Sequence, residues 1–173
     1  DGRQWSTITS PTTSDLQSLA MTSADNGWAV GNNGTILHYS AGVWSIFHDP
    51  ISNTLNSVSM LSPNEGWAVG NSGAVLHYRD GEWGQVSIPD YDNSLDFYAV
   101  AMTSERSGWA SGQYDLLGYS DEVWTSANKS ENFQYNEPIR DIAMTAPGEG
   151  WAVGDQNILY YCHKGQWFNY TNA

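Results

Sequence analysis

Four segments of the chain are copies of one another. They read SLAMTSADNGWAVGNNGTILHYSAGVW, SVSMLSPNEGWAVGNSGAVLHYRDGEW, AVAMTSERSGWASGQYDLLGYSDEVW and DIAMTAPGEGWAVGDQNILYYCHKGQW. Met21, Met60, Met102 and Met144 form one column, spaced 39, 42 and 42 residues apart. Trp28, Trp67, Trp109 and Trp151 form a second column with the same spacings. Trp44, Trp83, Trp124 and Trp167 form a third, to which Trp5 adds a fifth member. Every Trp and every Met falls in these columns, where a chance pattern would leave strays. A repeat of this length is a unit that buries its apolar faces by stacking on its neighbours, so it constrains the fold more than any other feature.

Within each unit the hydrophobic period is two. Leu19 and Met21 alternate with Ala20, and the pattern recurs as Val58/Met60 against Ser59, Val100/Met102 against Ala101, and Ile142/Met144 against Ala143. That is a buried strand with a bulky face and a small face, the small one suited to a crowded axis. A turn and a short Trp-led strand follow, as in Trp28–Gly31. Asn33-Gly34 and Ser72-Gly73 are two-residue hairpin signals, because glycine supplies the positive φ these turns require. A third strand comes next, and then a fourth that opens on the third-column Trp. No segment has helical periodicity. Four strands in about 40 residues is the spacing of propeller blades. The fold expected is all-β, a β-propeller of four-stranded antiparallel blades. Its repeats run approximately over 10–48, 49–88, 89–128 and 129–173, and residues 1–9 supply an extra N-terminal outer strand. The nine indoles read as packing between blades.

The phrase G-W-A-V-G-x-x-G-x-[IVL]-L-x-Y-x-x-G-x-W resembles the repeats of bacterial-neuraminidase (Asp-box) propellers. It is more similar still to the seven-bladed propellers of the photosystem II assembly-factor type. The resemblance covers nearly the whole chain, and it implies a propeller with a scaffolding role. The turns equivalent to an Asp box, for example Ser40-Ala-Gly-Val-Trp44 and Arg79-Asp-Gly-Glu-Trp83, depart from S-x-D-x-G-x-x-W.

The length of 173 residues fits one domain or a segment of a larger one. Two arrangements satisfy the strand count: part of a longer array completed by other blades or another subunit, or a closed four-bladed ring with one terminal strand as an appendage. An uncovered edge invites pairing with another chain, which favours association or truncation.

Net charge is −13, which sets the chain against nucleic-acid phosphates and anionic membrane surfaces. No apolar run is long enough to be a membrane-spanning helix. A single cysteine, Cys162, allows no internal disulfide, and it reads as an inert strand residue. The acidic balance and the scarcity of lysine suit an exported or cell-surface module. Asp1 in place of an initiator Met predicts processing upstream.

Insertions in a repeat protein gather on one face, often the binding face. The connections from the third-column Trp to the next Met lengthen from 16 residues in the first two units to 19 and 20 in the last two. The longer connections mix carboxylates with aromatics. The candidate ligand-binding residues are therefore Asp90, Tyr91, Asp92, Asp96, Phe133, Tyr135 and Glu137. Tyr114 and Asp115 join them, because the third unit there replaces the Asn-Gly turn, and departures from a local rule mark candidate sites. Such mixtures present hot-spot residues to a protein, or grip sugars.

Catalysis finds little support. Sialidase chemistry needs three converging arginines, and of the four present only Arg140 starts an inner strand. A carboxylate pair drawn from Asp90, Asp92 and Glu137 is the remaining route to glycoside hydrolysis. His38 and His77 share a column that continues as Gly118 and Tyr160, short of the ligands zinc needs. No cofactor is expected; calcium at Asp90–Asp96, with oxygens at i, i+2 and i+6, is the alternative. The reading is a non-enzymatic binding or scaffold module, outside the cell or at its surface, engaging a protein partner or copies of itself. A lectin-like glycan binder is the first alternative and a sialidase-like glycosidase fragment the second.

Overall fold

Strands form wherever the sequence alternates in period two. The computed structural model describes residues 4, 6–47, 51–89, 94–127 and 137–170. The first blade comprises β1 (Leu16–Ser23), β2 (Asn26–Gly31), β3 (Ile36–Ser40) and β4 (Val43–Phe47), with a 3-10 turn at Asn32–Gly34. The second comprises β5 (Leu55–Ser62), β6 (Glu65–Gly70), β7 (Val75–Arg79) and β8 (Glu82–Gln85). The third comprises β9 (Phe97–Ser104), β10 (Ser107–Gly112), β11 (Leu116–Ser120) and β12 (Val123–Ser126). The fourth comprises β13 (Ile139–Ala146), β14 (Glu149–Gly154), β15 (Leu159–His163) and β16 (Gln166–Asn169). Each blade is an antiparallel meander with its strands in chain order. The blade grammar is that of a β-propeller.

The ladder shows what the small residues are for. Ala20 lies directly opposite Trp28, Ser59 opposite Trp67, Ala101 opposite Trp109 and Ala143 opposite Trp151. The small face expected at the axis therefore clears space for an indole on the neighbouring strand. Each Met faces a glycine in the same way. A Cβ on Gly27, Gly66 or Gly108 would lie 2.2 Å from the sulfur of Met21, Met60 or Met102. The Met column is set by cross-strand fit, bulky beside bare backbone.

Between blades one contact recurs. Trp28 meets Trp83 of the second blade at 5.5 Å and 84°. Trp67 meets Trp124 at 5.3 Å and 82°, and Trp109 meets Trp167 at 5.4 Å and 88°. These T-shaped pairs suit the ring quadrupoles. Around them, Val30 and Ile36 of the first blade bury Leu55, Val58 and Leu76 of the second, and Val69 and Val75 do the same for Phe97, Val100 and Leu117. Inner strands are also stitched by hydroxyls: Ser18 Oγ accepts from Val58 N–H at 3.2 Å, and Ser57 Oγ from Val100 N–H at 3.2 Å. Indoles as inter-blade filler is thus the arrangement found for Trp28, Trp67, Trp83, Trp109, Trp124 and Trp167.

Among the described residues the inner strands pack in the series β1, β5, β9, β13, and no comparable contact joins β13 to β1. The described blades thus make an open series and do not close into a four-bladed ring. The extra outer strand expected over residues 1–9 is not formed in its described part either. Gln4 and residues 6–9 are exposed and lie outside every sheet, and each described third strand is paired with its own fourth.

Candidate functional site

The described residues that lead into each inner strand and the turns between second and third strands share one face. Their positions are fixed by a bond that repeats in every blade. The N–H after each second strand donates to the carbonyl just before the inner strand: Asn32 to Asp15 at 2.9 Å, Asn71 to Thr54 at 2.9 Å, Gln113 to Asp96 at 3.0 Å and Asp155 to Pro138 at 3.0 Å. The hairpin signals hold, with Asn33 at φ 58° and Ser72 at φ 54° ahead of their glycines.

Two side-chain columns meet on this face. Gln17 Nε2 donates to Asn32 Oδ1 at 3.0 Å, and Asn56 Nδ2 donates to Asn71 Oδ1 at 2.6 Å. In the fourth blade the same two positions hold Arg140 and Asp155, paired through two bonds of 2.9 and 2.6 Å. The Arg140 guanidinium also lies 4.5 Å over the ring of Tyr98, which occupies the equivalent position one blade earlier. The hydrogen bond from Arg140 holds the Asp155 carboxyl below the usual range, and Asp155 raises the guanidinium in turn. Both side chains remain about half exposed, at 48% and 42%. A charged pair stacked on an aromatic ring is able to grip a backbone amide, a carboxylate or a planar side chain. Sequence reasoning placed Arg140 on an inner strand but missed this cluster. Tyr98 and Arg140 stand 42 residues apart in one repeat column, and that register was the available signal.

The candidate residues divide. Asp96 is on the face, where its Oδ1 accepts the Ser72 N–H at 2.9 Å. Tyr114 is exposed, and its hydroxyl accepts from Gln113 Nε2 at 3.3 Å. Asp115 is buried and turned inward, with its carboxylate taking the Ser126 hydroxyl at 2.9 Å, so it serves the hairpin and not the surface. Glu137 is half-buried at the entry to the fourth blade. Asp90, Tyr91, Asp92, Phe133 and Tyr135 lie outside the described residues, and with them most of the calcium expectation. One of the third unit's departures, Gly118, has a packing cause. A Cβ on Gly118 would stand 3.1 Å from the Trp109 ring, so that indole fills the space taken by histidine in the first two blades.

At the opposite end of the strands, His38 stacks on Trp28 at 4.2 Å and His77 on Trp67 at 4.0 Å. His38 Nε2 pairs with the Asn26 amide at 3.0 Å, and His77 pairs with Glu65. The register corrects the expected column: Tyr161, not Tyr160, stands opposite Trp151, where His38 stands opposite Trp28. Among the described residues no cluster of three His, Cys, Asp or Glu is placed to hold a metal. Burial pushes the Cys162 thiol up to about 11, and its Sγ points at the Gly148 carbonyl, 3.3 Å away.

Burial lowers the affinity of His38 for a proton below its ordinary 6.5. The unfolded chain therefore binds this proton more readily than the folded one. The stability contribution is fully present above pH 6.5 and is lost as pH falls through that value. In urea titrations between about pH 7.5 and 5.5, His38→Gln is expected to lose less stability than the parent. Parallel curves for the two proteins would rule this out.

Comparisons with known proteins place this geometry. The sequence profile described as "Photosynthesis system II assembly factor YCF48" matches residues 1–90. The solved structure "YCF48 bound to D1 peptide" superposes with a TM-score of 0.70 at 23% identity, over 95% of this chain and 57% of its own length. YCF48 from Cyanidioschyzon merolae gives 0.67 at 16% identity, over 94% of this chain and 58% of that one. The computationally designed Ika4 protein gives 0.69 at 11% identity, over 88% of this chain and 92% of that one. This chain thus spans a little over half the length of the YCF48 chains and nearly all of the designed one. No curated protein matches the sequence. With the profile covering 90 of 173 residues, the chain belongs to the photosystem II assembly factor YCF48 family of propeller-repeat proteins.

Proposed function

We propose that this chain is a non-enzymatic propeller module that binds a segment of a partner protein across the loop face, working outside the cell or at its surface. The observation that carries this reading is the half-exposed Arg140–Asp155 pair stacked on Tyr98, with Tyr114 exposed on the same face. Arginine and tyrosine are the residues over-represented at binding hot spots. The assembly-factor family supports a binding role, as does a fold neighbour whose structure is described with a bound peptide. The location rests on composition: net charge −13 and few lysines.

The test is an array of overlapping peptides, followed by titration of the strongest binder. Arg140→Ala is expected to weaken that binder by about 30-fold, the scale of a 2 kcal/mol hot spot. Arg140→Lys should recover only part of the loss, because lysine cannot make the bidentate contact. A glycan array run alongside separates the carbohydrate reading. Response to sugars with none to peptides, or turnover of a chromogenic glycoside, would overturn the proposal.

A further inference from the structure

The contact that builds the array uses two unlike faces. One face offers an indole from the second strand, with aliphatic residues beside it. The other receives that indole between the aromatics of its third and fourth strands. Trp28 docks this way on Tyr78 and Trp83, and Trp67 on Tyr119 and Trp124. Among the described residues, three junctions use both faces of the inner blades, and each end blade keeps one face that no described blade covers.

The unused faces are of opposite kind. The fourth blade presents the indole. Trp151 is 43% exposed, where Trp28 and Trp67 are 0% and 2% exposed. Around it stand Tyr170 at 5.4 Å and the stacked pair Tyr161–Phe168. The first blade presents the receiver. Tyr39 and Trp44 lie 5.1 Å apart at 39°, against 5.2 Å and 42° for Tyr78–Trp83, and 4.9 Å and 44° for Tyr119–Trp124. The receiving pair is thus set in its docked geometry with no indole of the described residues against it. Beside it opens an apolar cleft of about 390 Å³ lined by Ile8, Pro11, Leu16, Leu19, Leu37 and Trp44. In the second blade the equivalents of Leu16, Leu19 and Leu37 are Leu55, Val58 and Leu76, all buried under the first blade.

We infer that copies of this chain join head to tail, with the Trp151 face of one copy seated on the Tyr39–Trp44 face of the next. The junction continues an interface the chain already builds twice with a Tyr–Trp receiver, and a third time with Cys162 in place of the tyrosine beside Trp167. It is heterologous, so each copy supplies both halves, and the assembly closes into a ring or extends according to its rotation. It uses blade faces rather than the loop face, and so does not depend on the peptide-binding reading.

Light scattering on the purified chain tests this. The expected mass is at least twice the 19.1 kDa of one chain. Trp151→Glu removes the donor and Leu19→Glu spoils the receiver; both sites are exposed, so both variants fold. Each alone is expected to run as a monomer. Mixed in equal amounts they should form a one-to-one dimer, because only the Leu19→Glu copy still offers an indole and only the Trp151→Glu copy still receives one. Arg140→Ala should leave the mass unchanged, which separates this result from failure of the peptide reading. A parent that stays monomeric at its highest soluble concentration overturns the inference. A parent that associates while the mixed variants do not would also overturn it, since the contact would then be like-to-like.

Discussion

Trp67→Ala is expected to lower stability by about 3–5 kcal/mol, against about 1 kcal/mol or less for Trp151→Ala in the dissociated chain. The two residues occupy the same column and the same position in their strands, so the difference isolates the neighbouring blade. Trp67 is stacked on His77, tilted against Tyr119 and T-shaped to Trp124, and it is 2% exposed. Removing it leaves a cavity at the central junction that rigid strands close poorly. Trp151 meets the rings of Tyr161 and Tyr170, has no described blade beyond it and is 43% exposed. Its truncation removes exposed area and opens no cavity. In an array of repeats each junction also transmits cooperativity, so loss of the middle one should broaden the urea transition as well as shift it. Equal midpoint shifts for the two variants would mean that the indoles do not hold the blades together.

Most of the architecture was legible because the repeat encodes junctions as well as strands. Columns of Trp, Met and Gly fixed where strands begin and which residues face a neighbour. The reason for the small column was not legible. Ala20 and Ser59 read as residues for a crowded axis, yet they stand opposite Trp28 and Trp67 and clear space for them. Only the register of adjacent strands reveals that relation, and a one-residue slip would move it to the other face. The open ends were half visible. Counting fourth-strand tryptophans exposed a mismatch, but the resolution of that mismatch lies in which faces find a partner, which is a long-range property. The loop-face cluster was missed for a related reason. Arg140, Tyr98 and Asp155 are ordinary residues in sequence, and they converge because two blades and one turn meet at that point. Asp115 was singled out by its broken turn, but its carboxylate is taken up locally by the Ser126 hydroxyl.

The loop face depends on one close approach of backbones, and a single methyl group tests it. A Cβ on Gly70 would sit 2.0 Å from the Thr54 carbonyl oxygen and 2.8 Å from Leu55 Cα. Both are main-chain atoms, so no side chain can swing away. Thr54 is held in place because its carbonyl accepts the Asn71 N–H at 2.9 Å, and Leu55 because it is fully buried in the core. Gly70 in turn donates to the Ala74 carbonyl at 2.9 Å, which ties it to the hairpin turn. Relief requires separating β5 from β6 at the point where the chain enters the blade. Gly70→Ala is therefore expected to cost about 3 kcal/mol or more. Gly84→Ala is the matched control: its nearest neighbour is the His77 carbonyl at 3.9 Å, so the methyl meets open space. There the loss of chain freedom in the unfolded state should leave stability unchanged or raise it by up to about 1 kcal/mol. The same chemical change thus has opposite outcomes on two strands of one blade. Gly70→Ala should also disturb peptide binding more than its stability loss alone explains, because Asn56 and Asn71 are positioned by the same approach and Asn56 reaches the Phe97 carbonyl of the next blade at 2.7 Å. Equal urea midpoints for the two alanine variants would show that β6 does not meet the blade entry this closely, and the loop face would then lose its physical basis.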